Sequence, residues 1–284
     1  MSELTRPLQV FVSGPASWNT LIHLDELPQP RPQMVRAQRH WQTLGGTSAG
    51  KALNLAGLGA QVVLRTVVGH DAAGVEVVRS LDVDGVELIV ERAEGASEQH
   101  VNLMTEAGER LSIYLELPDL VGEQQAERTA AALAGCEVAV LDLAEHNLRL
   151  LEAARSLGRP VWCDVHDHNG TDAFHRPWLQ AADVLFLNDD RLDDPLAFMR
   201  ARVEAGAGLV VCTQGAGGAT AVTAEGVMHV PAPPVPHVVD TNGAGDAFLA
   251  GFLVASRAGA DVRASLAAGH AQAARCLAVD RLAP

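Results

Sequence analysis

A chain of 284 residues that is 48% hydrophobic and 20% charged has the composition of an ordered globular protein with apolar material for one full core, which excludes intrinsic disorder. Its 21 basic against 35 acidic side chains leave a net charge of −14, a field that DNA or RNA would have to overcome, so nucleic acid is excluded as a partner. No run reaches the roughly 18 apolar residues of a membrane span, and the run at 8–12 is too short for a signal peptide. Cys136, Cys163, Cys212 and Cys276 form neither a C-x-x-C pair nor a disulfide framework, and read as small core hydrophobes of a reducing compartment. The expectation is a cytoplasmic protein with no membrane partner.

In chain order, an apolar strand at 9–12 is followed by an alternating, proline-containing stretch at 21–44 and a helical pattern at 48–58. A strand at 62–68 and a helix at 74–81 come next. The segment 99–117 reads strand, Glu-Ala-Gly-Glu turn, strand, a hairpin with no helix to cross it over. Helices at 123–133, 148–157 and 195–204 then alternate with strands at 138–142, 161–165, 184–187 and 209–213. Strands apolar throughout, separated by helices, predict an α/β doubly wound, mostly parallel sheet. The segments about 15–44 and 98–118 predict a small β-sheet lid on a single domain spanning 1–284.

The most informative stretch is Asp240-Thr-Asn-Gly-Ala-Gly-Asp-Ala-Phe248. Pro231, Pro233, Pro234 and Pro236 block a helix before it, while the apolar, Ala-rich run after Gly245 suits one. The glycines therefore sit at a helix N-terminus, where free amides and the dipole favour a phosphate. Asp246 falls beside that anion. A carboxylate repels phosphate, so its natural task there is to accept a proton from the attacking group, as in phosphoryl transfer. Taken alone, the pattern also reads as a turn followed by a charge that suits a helix start.

Over almost its full length the chain resembles the ribokinase-like (PfkB) family of carbohydrate and nucleoside kinases. Residues 240–248 match the family's D-T-x-G-A-G-D-x-F signature, and further marks follow in order: Gly14, Gly45-Gly46, the G-x-D-x-x-G turn from Gly69 to Gly74, Asn188, and Thr213-Gln-Gly215 with Gly218. The resemblance implies an anion hole at Gly243, Ala244 and Gly245 with Asp246 as the base, and ATP held by Asn188, Thr213, Gly215, Gly218 and Thr241. It places a sugar-like substrate near Asn19, Gly45, Gly46, His100, Asn102 and Asp246. It also implies Mg²⁺ carried with ATP, a monovalent cation in some members, and a homodimer formed through the lids.

Departures cluster on the acceptor side. Asn19 stands where many members have Asp, and Gly50 stands where the family's Gly-Gly-x-x-x-Asn supplies an amide. Arg191 replaces the Glu of N-x-x-E, with Asp189 and Asp190 beside it, so the ligands of a metal stay unassigned. Asp164-Val-His166-Asp-His168 occupies the place of D-x-N-x-R and reads as a polar loop at the C-terminal edge of the sheet, where His166 or His168 can touch substrate. The leading expectation is an ATP-dependent kinase for a hydroxyl of a small sugar or sugar derivative. A nucleoside kinase and a non-catalytic nucleotide- or metabolite-binding member are the alternatives. A nucleoside would favour an aromatic platform, for which Trp18 and Trp41 are the lid-side candidates.

Overall fold

A computed structural model describes residues 6–106, 108–166 and 168–284; Ala107 of the hairpin turn and Asp167 of the 163–168 cluster lie outside the described residues, as do residues 1–5. The first half contains strands β1 (Gln9–Ser13), β2 (Ser17–Leu24) and β3 (Arg39–Gly45), helix α1 (Thr47–Gly57), β4 (Gln61–Val68), α2 (Ala72–Leu81), β5 (Val86–Arg92), β6 (Gln99–Thr105) and β7 (Arg110–Glu116). Then follow α3 (Ala126–Gly135), β8 (Val138–Leu141), α4 (Leu148–Ser156), β9 (Val161–Asp164), α5 (Arg176–Ala181), β10 (Val184–Asn188) and α6 (Pro195–Glu204). The chain ends with β11 (Leu209–Thr213), β12 (Ala219–Thr223), β13 (Gly226–Val230), α7 (Ala244–Arg257) and α8 (Val262–Cys276).

Nine strands form one sheet in the order β13-β12-β11-β10-β9-β8-β1-β4-β5, parallel except where the β12–β13 hairpin is added at one edge. Strand alternation divides the core in two. Val10 and Val12 face one side with Ala52, Leu55, Leu249 and Phe252 of α1 and α7, whereas Phe11 faces the other with Leu133, Leu151, Trp178 and Met199 of α3 to α6. Such α/β layering leaves the C-terminal strand edge free to carry a site. The other four strands form a separate sheet, β3-β2-β6-β7, in which β2 and β6 pair in parallel.

The structure adds elements that the sequence pattern does not signal, namely β5, α5, the β12–β13 hairpin and α8. In β5 the charges hide the strand: Glu91 is fully buried because Arg65 of β4, also buried, lies 3.4 Å away. Glu91 Oε2 also accepts the backbone N–H groups of Gln124 and Gln125 at 2.9 and 3.2 Å. That tie keeps residues 123–125 out of the helix expected from 123, so α3 begins at Ala126.

At the start of α2, Asp71 accepts the Gly74 N–H at 2.8 Å and the Ser97 N–H at 2.9 Å, and its Oδ1 takes the Ser97 hydroxyl at 2.5 Å. One carboxylate thus caps a helix and anchors the loop that leads into β6. Burial pushes its pKa up, but the Ser97 and Gly74 hydrogen bonds hold it below the usual carboxylate range. Its stabilising effect is therefore present above the ordinary Asp range and is lost as pH falls through the depressed value. Asp71→Ala is expected to lower unfolding free energy by about 1–2 kcal/mol at neutral pH, the loss of a capping carboxylate. Urea melts check this, and a midpoint equal to wild type would remove Asp71 from the account.

All four cysteines are free and buried. Burial raises their thiol pKa values, those of Cys212 and Cys276 to about 12. Among the described residues no helix is long and apolar enough to cross a membrane.

Candidate active site

The C-terminal strand edge and the second sheet enclose a cleft of about 1730 Å³. At one end it is lined by Asn19, Gly45, Gly46, His100 and Asn102, and at the other by Asn188, Thr213, Gly215 and Thr241. Gly243, Gly245 and Asp246 line it as well. Most of the residues singled out in the sequence are thus brought together. Gly218 and Ala244 are not among the lining residues. Gly218 has φ +108° and a Cβ there would come 2.3 Å from the Val230 carbonyl oxygen, so the absence of a side chain lets the start of β12 lie against the end of β13. Ala244 is the first residue of α7 and offers only its backbone.

Gly243 caps α7 in a left-handed conformation, φ +75°, which suits a residue without Cβ. Asp240 shapes the turn, accepting the Asn242 N–H and side-chain amide on Oδ1, each at 2.8 Å. Asn242 in turn accepts Arg110 of β7 at 3.2 Å, so the glycine turn is fastened to the second sheet.

Asp246 lies in the first turn of α7 and is 8% exposed. Its Oδ1 is 2.7 Å from Nζ of Lys51, a fully buried lysine on α1. The same ammonium lies 3.1 Å from Asp142 Oδ1, just past the end of β8, and 3.3 Å from Asp164 Oδ2, the last residue of β9. Asp142 is held further by the Ser48 hydroxyl at 2.6 Å and the Thr47 hydroxyl at 3.2 Å. Burial alone would lower the pKa of Lys51, but Asp142, Asp246 and Asp164 raise it well above its ordinary value and keep it charged. For Asp246 burial dominates; helped by Asp142 and Asp164 and opposed by Lys51, it pushes the carboxyl up to about 6. Asp164 moves the other way: burial pushes it up, but His166 and Lys51 pull it below the usual range.

Gly50 explains how helix and carboxylate meet. A Cβ at this position would lie 2.6 Å from Asp246 Oδ2, so the missing family amide leaves the space that Asp246 occupies. Gly45 does the same for Asn19, whose amide nitrogen would be 2.0 Å from a Cβ there. Asn19 Oδ1 is buried with no hydrogen-bond partner among the described residues. His100 Nε2 lies 2.9 Å from Glu98 Oε1, off the axis of a good hydrogen bond, and its ring packs against Tyr114 at a tilt of 51° with centroids 4.0 Å apart.

In the 163–168 cluster the side chains part company. Cys163 is buried in the core, His166 has φ +49° and reaches the cleft beside Asp164, and His168 packs against His175 and Phe198. Of the two imidazoles expected to touch substrate, His166 lines the cleft and His168 does not. Trp18 and Trp41 are not among the lining residues either, and Trp41 stacks on His23; the cleft's aromatic faces are Tyr114 and Phe174. Lys51, Asp142 and Glu98 escaped the sequence reading. The available signal for Lys51 was a lysine on the otherwise apolar face of Ala49, Ala52 and Leu55.

A doubly wound sheet, a second sheet facing its C-terminal edge, and a glycine turn that opens a helix on a buried aspartate define the class of small-molecule phosphotransferases. The profile described as pfkB family carbohydrate kinase matches residues 9–279, and the chain belongs to that family. It is 31% identical over 280 residues to the acarbose 7(IV)-phosphotransferase of Actinoplanes sp., covering 95% of this chain and 91% of that one. It is 29% identical to a nucleoside kinase of Methanothermobacter thermautotrophicus, with 88% and 83% covered. Among solved structures, a microbiome-derived acarbose kinase superposes with TM-score 0.85 at 24% identity, over 96% of this chain and 94% of that one. The Arabidopsis thaliana ribokinase complexed with ribose and ATP superposes with TM-score 0.78 at 20% identity, over 98% and 95%.

Proposed function

We propose that this carbohydrate kinase transfers the γ-phosphoryl of ATP to a hydroxyl of a small sugar or sugar derivative, with Asp246 as the general base. The observation that carries the reading is the Asp246 carboxylate, buried in the first turn of α7 beside the glycine turn, where burial pushes its pKa up to about 6. A base poised there is ionised for much of its time at pH 7 yet still basic enough to take a proton. The acceptor O–H gives its proton to Asp246 as its oxygen bonds to the γ-phosphorus, and the bond to the ADP oxygen breaks. The first amides of α7, unpaired within the helix, face the charge that develops on the transferring group. Asn19, with its unpartnered buried oxygen, accepts a second acceptor hydroxyl.

The nucleotide lies along Asn188, Thr213, Gly215 and Thr241. Mg²⁺ favours one or two carboxylates together with phosphate oxygens and water, and the donors here fit that need. Asn188, Asp189 and Asp190 all line this end of the cleft, and the Asn188 side-chain oxygen accepts the Asp190 N–H at 3.1 Å. When bound, the ion neutralises phosphate charge; Arg191 takes no part in holding it. The second sheet acts as a lid that excludes water, and its exposed edge strand β7, with Leu111, Ile113 and Leu115 at the surface, is the face through which two copies pair.

The test is acceptor-dependent ADP formation from Mg·ATP across pentoses, hexoses, sugar acids, nucleosides and acarbose, with potassium present or absent. Turnover is expected on a sugar-type acceptor, with kcat/KM rising through an acid limb at about pH 6, where Asp246 loses its proton. Turnover on nucleosides alone would transfer the reading to a nucleoside kinase. Nucleotide binding without stimulation by any acceptor would favour a non-catalytic member.

A further inference from the structure

We propose that Lys51 positions the base: its buried ammonium, brought alongside by the gap at Gly50, holds the Asp246 carboxylate in one orientation and ionised for proton transfer. The inference rests on the reading of Asp246 as the base.

The geometry at helix α1 is specific to that carboxylate. Two successive residues serve it, Gly50 by having no side chain 2.6 Å from Oδ2 and Lys51 by placing a cation 2.7 Å from Oδ1. Oδ1 is therefore engaged, while Oδ2 takes no hydrogen bond among the described residues and is the oxygen left for the acceptor's proton. A cluster built only for stability would be a poor choice here. One ammonium against Asp142, Asp164 and Asp246 leaves excess negative charge inside the protein, and buried ion clusters often do no better than apolar packing.

The charged and titratable groups around this carboxylate come from every side. Lys51 approaches from α1, Asp142 from the end of β8, Asp164 from β9 with His166 behind it, Asp240 from the preceding turn and the Cys276 thiol from α8. Of these, only Lys51 is both a cation and in contact with Asp246. A nearby opposite charge favours the ionised form by about 1–3 pK units. Without Lys51, burial and two carboxylates would keep Asp246 protonated at neutral pH, and the base would be idle.

Removing Lys51 alone leaves Asp142 buried and unpaired, so the comparison is made between Asp142→Asn and Asp142→Asn/Lys51→Met. Two quantities are followed against pH: kcat/KM for the acceptor, and the carboxyl carbon signal of Asp246 in protein labelled with ¹³C at aspartate, assigned by its absence in Asp246→Asn. In the double variant both midpoints are expected about one pH unit or more higher than in Asp142→Asn, with kcat/KM recovering at alkaline pH. Midpoints that agree within about 0.3 unit, which is about 0.4 kcal/mol, would overturn the proposal and leave Lys51 a structural cation. If the double variant does not fold, Asp142→Asn/Lys51→Gln, neutral but still a hydrogen-bond donor, is read in the same way. If the wild type phosphorylates no acceptor, the kinase reading fails, and the carboxyl titration still decides whether Lys51 governs Asp246.

Discussion

Asp246→Asn is expected to lower kcat by about 10²–10⁴-fold, the usual contribution of a positioned general base. The nucleotide KM should stay within a few-fold of wild type, because Asn fills the same space beside the glycine turn. The acid limb at about pH 6 should disappear with the carboxyl that causes it. Steady-state kinetics across pH 5 to 9 provide the check. A variant within tenfold of wild type would move the base elsewhere, and Asp164 would be the first alternative, since it also touches Lys51 and lines the cleft.

The same substitution should raise thermal stability, which distinguishes a lost catalytic group from a damaged fold. The ordinary Asp pKa is 3.8 and the folded value is about 6, so the folded state holds the proton more tightly than the unfolded chain. Stability contributed by the protonated form is complete below the ordinary value and is lost as pH rises from about 4 through about 6. At pH 7 and above, wild type carries the full cost of the ionised carboxylate and Asn carries none. A Tm for Asp246→Asn at or above wild type is the expected result at pH 8, with the difference vanishing near pH 4.

Gly50→Ala is the second large effect. The added methyl would sit 2.6 Å from Asp246 Oδ2 and 3.0 Å from its Cβ, so the carboxylate must swing away from α1 or the helices must part. A displacement of this size at a reacting group costs about 10²-fold, and we expect that loss in kcat/KM for the acceptor. Overpacking should also cost about 1–3 kcal/mol in a urea melt. Gly50→Asn, which restores the family's usual residue, is expected to fare no better, because here the space already belongs to Asp246. Activity within threefold of wild type in Gly50→Ala would show that the carboxylate tolerates the move.

The doubly wound sheet is legible in the sequence because its strands are buried on both faces and read as uninterrupted apolar runs, as in 138–141 and 184–187. The glycine turn and Asp246 are legible because their chemistry is local, four residues from Asn242 to Gly245 and the next one. What escapes is long-range pairing. Lys51 and Asp246 are 195 positions apart, and a lysine in a helix reads as a surface charge until the three carboxylates around it are known. Glu91 hides β5 for the same reason, its charge being answered by Arg65 on the neighbouring strand and by backbone amides more than 30 positions on. Gly218 carries a second demand that its motif position does not signal: the backbone of Val230 leaves no room for a side chain there.

The burial of every thiol has a practical side. Cys136, Cys163, Cys212 and Cys276 are each 3% exposed or less, with Cys136 at the upper end, and all are poor nucleophiles at neutral pH. The natural chain therefore offers maleimides and other thiol labels almost nothing to attack. One cysteine introduced at exposed Ser112 on β7 would carry a fluorophore alone, and its signal on adding sugar or nucleotide would test whether the second sheet closes as proposed.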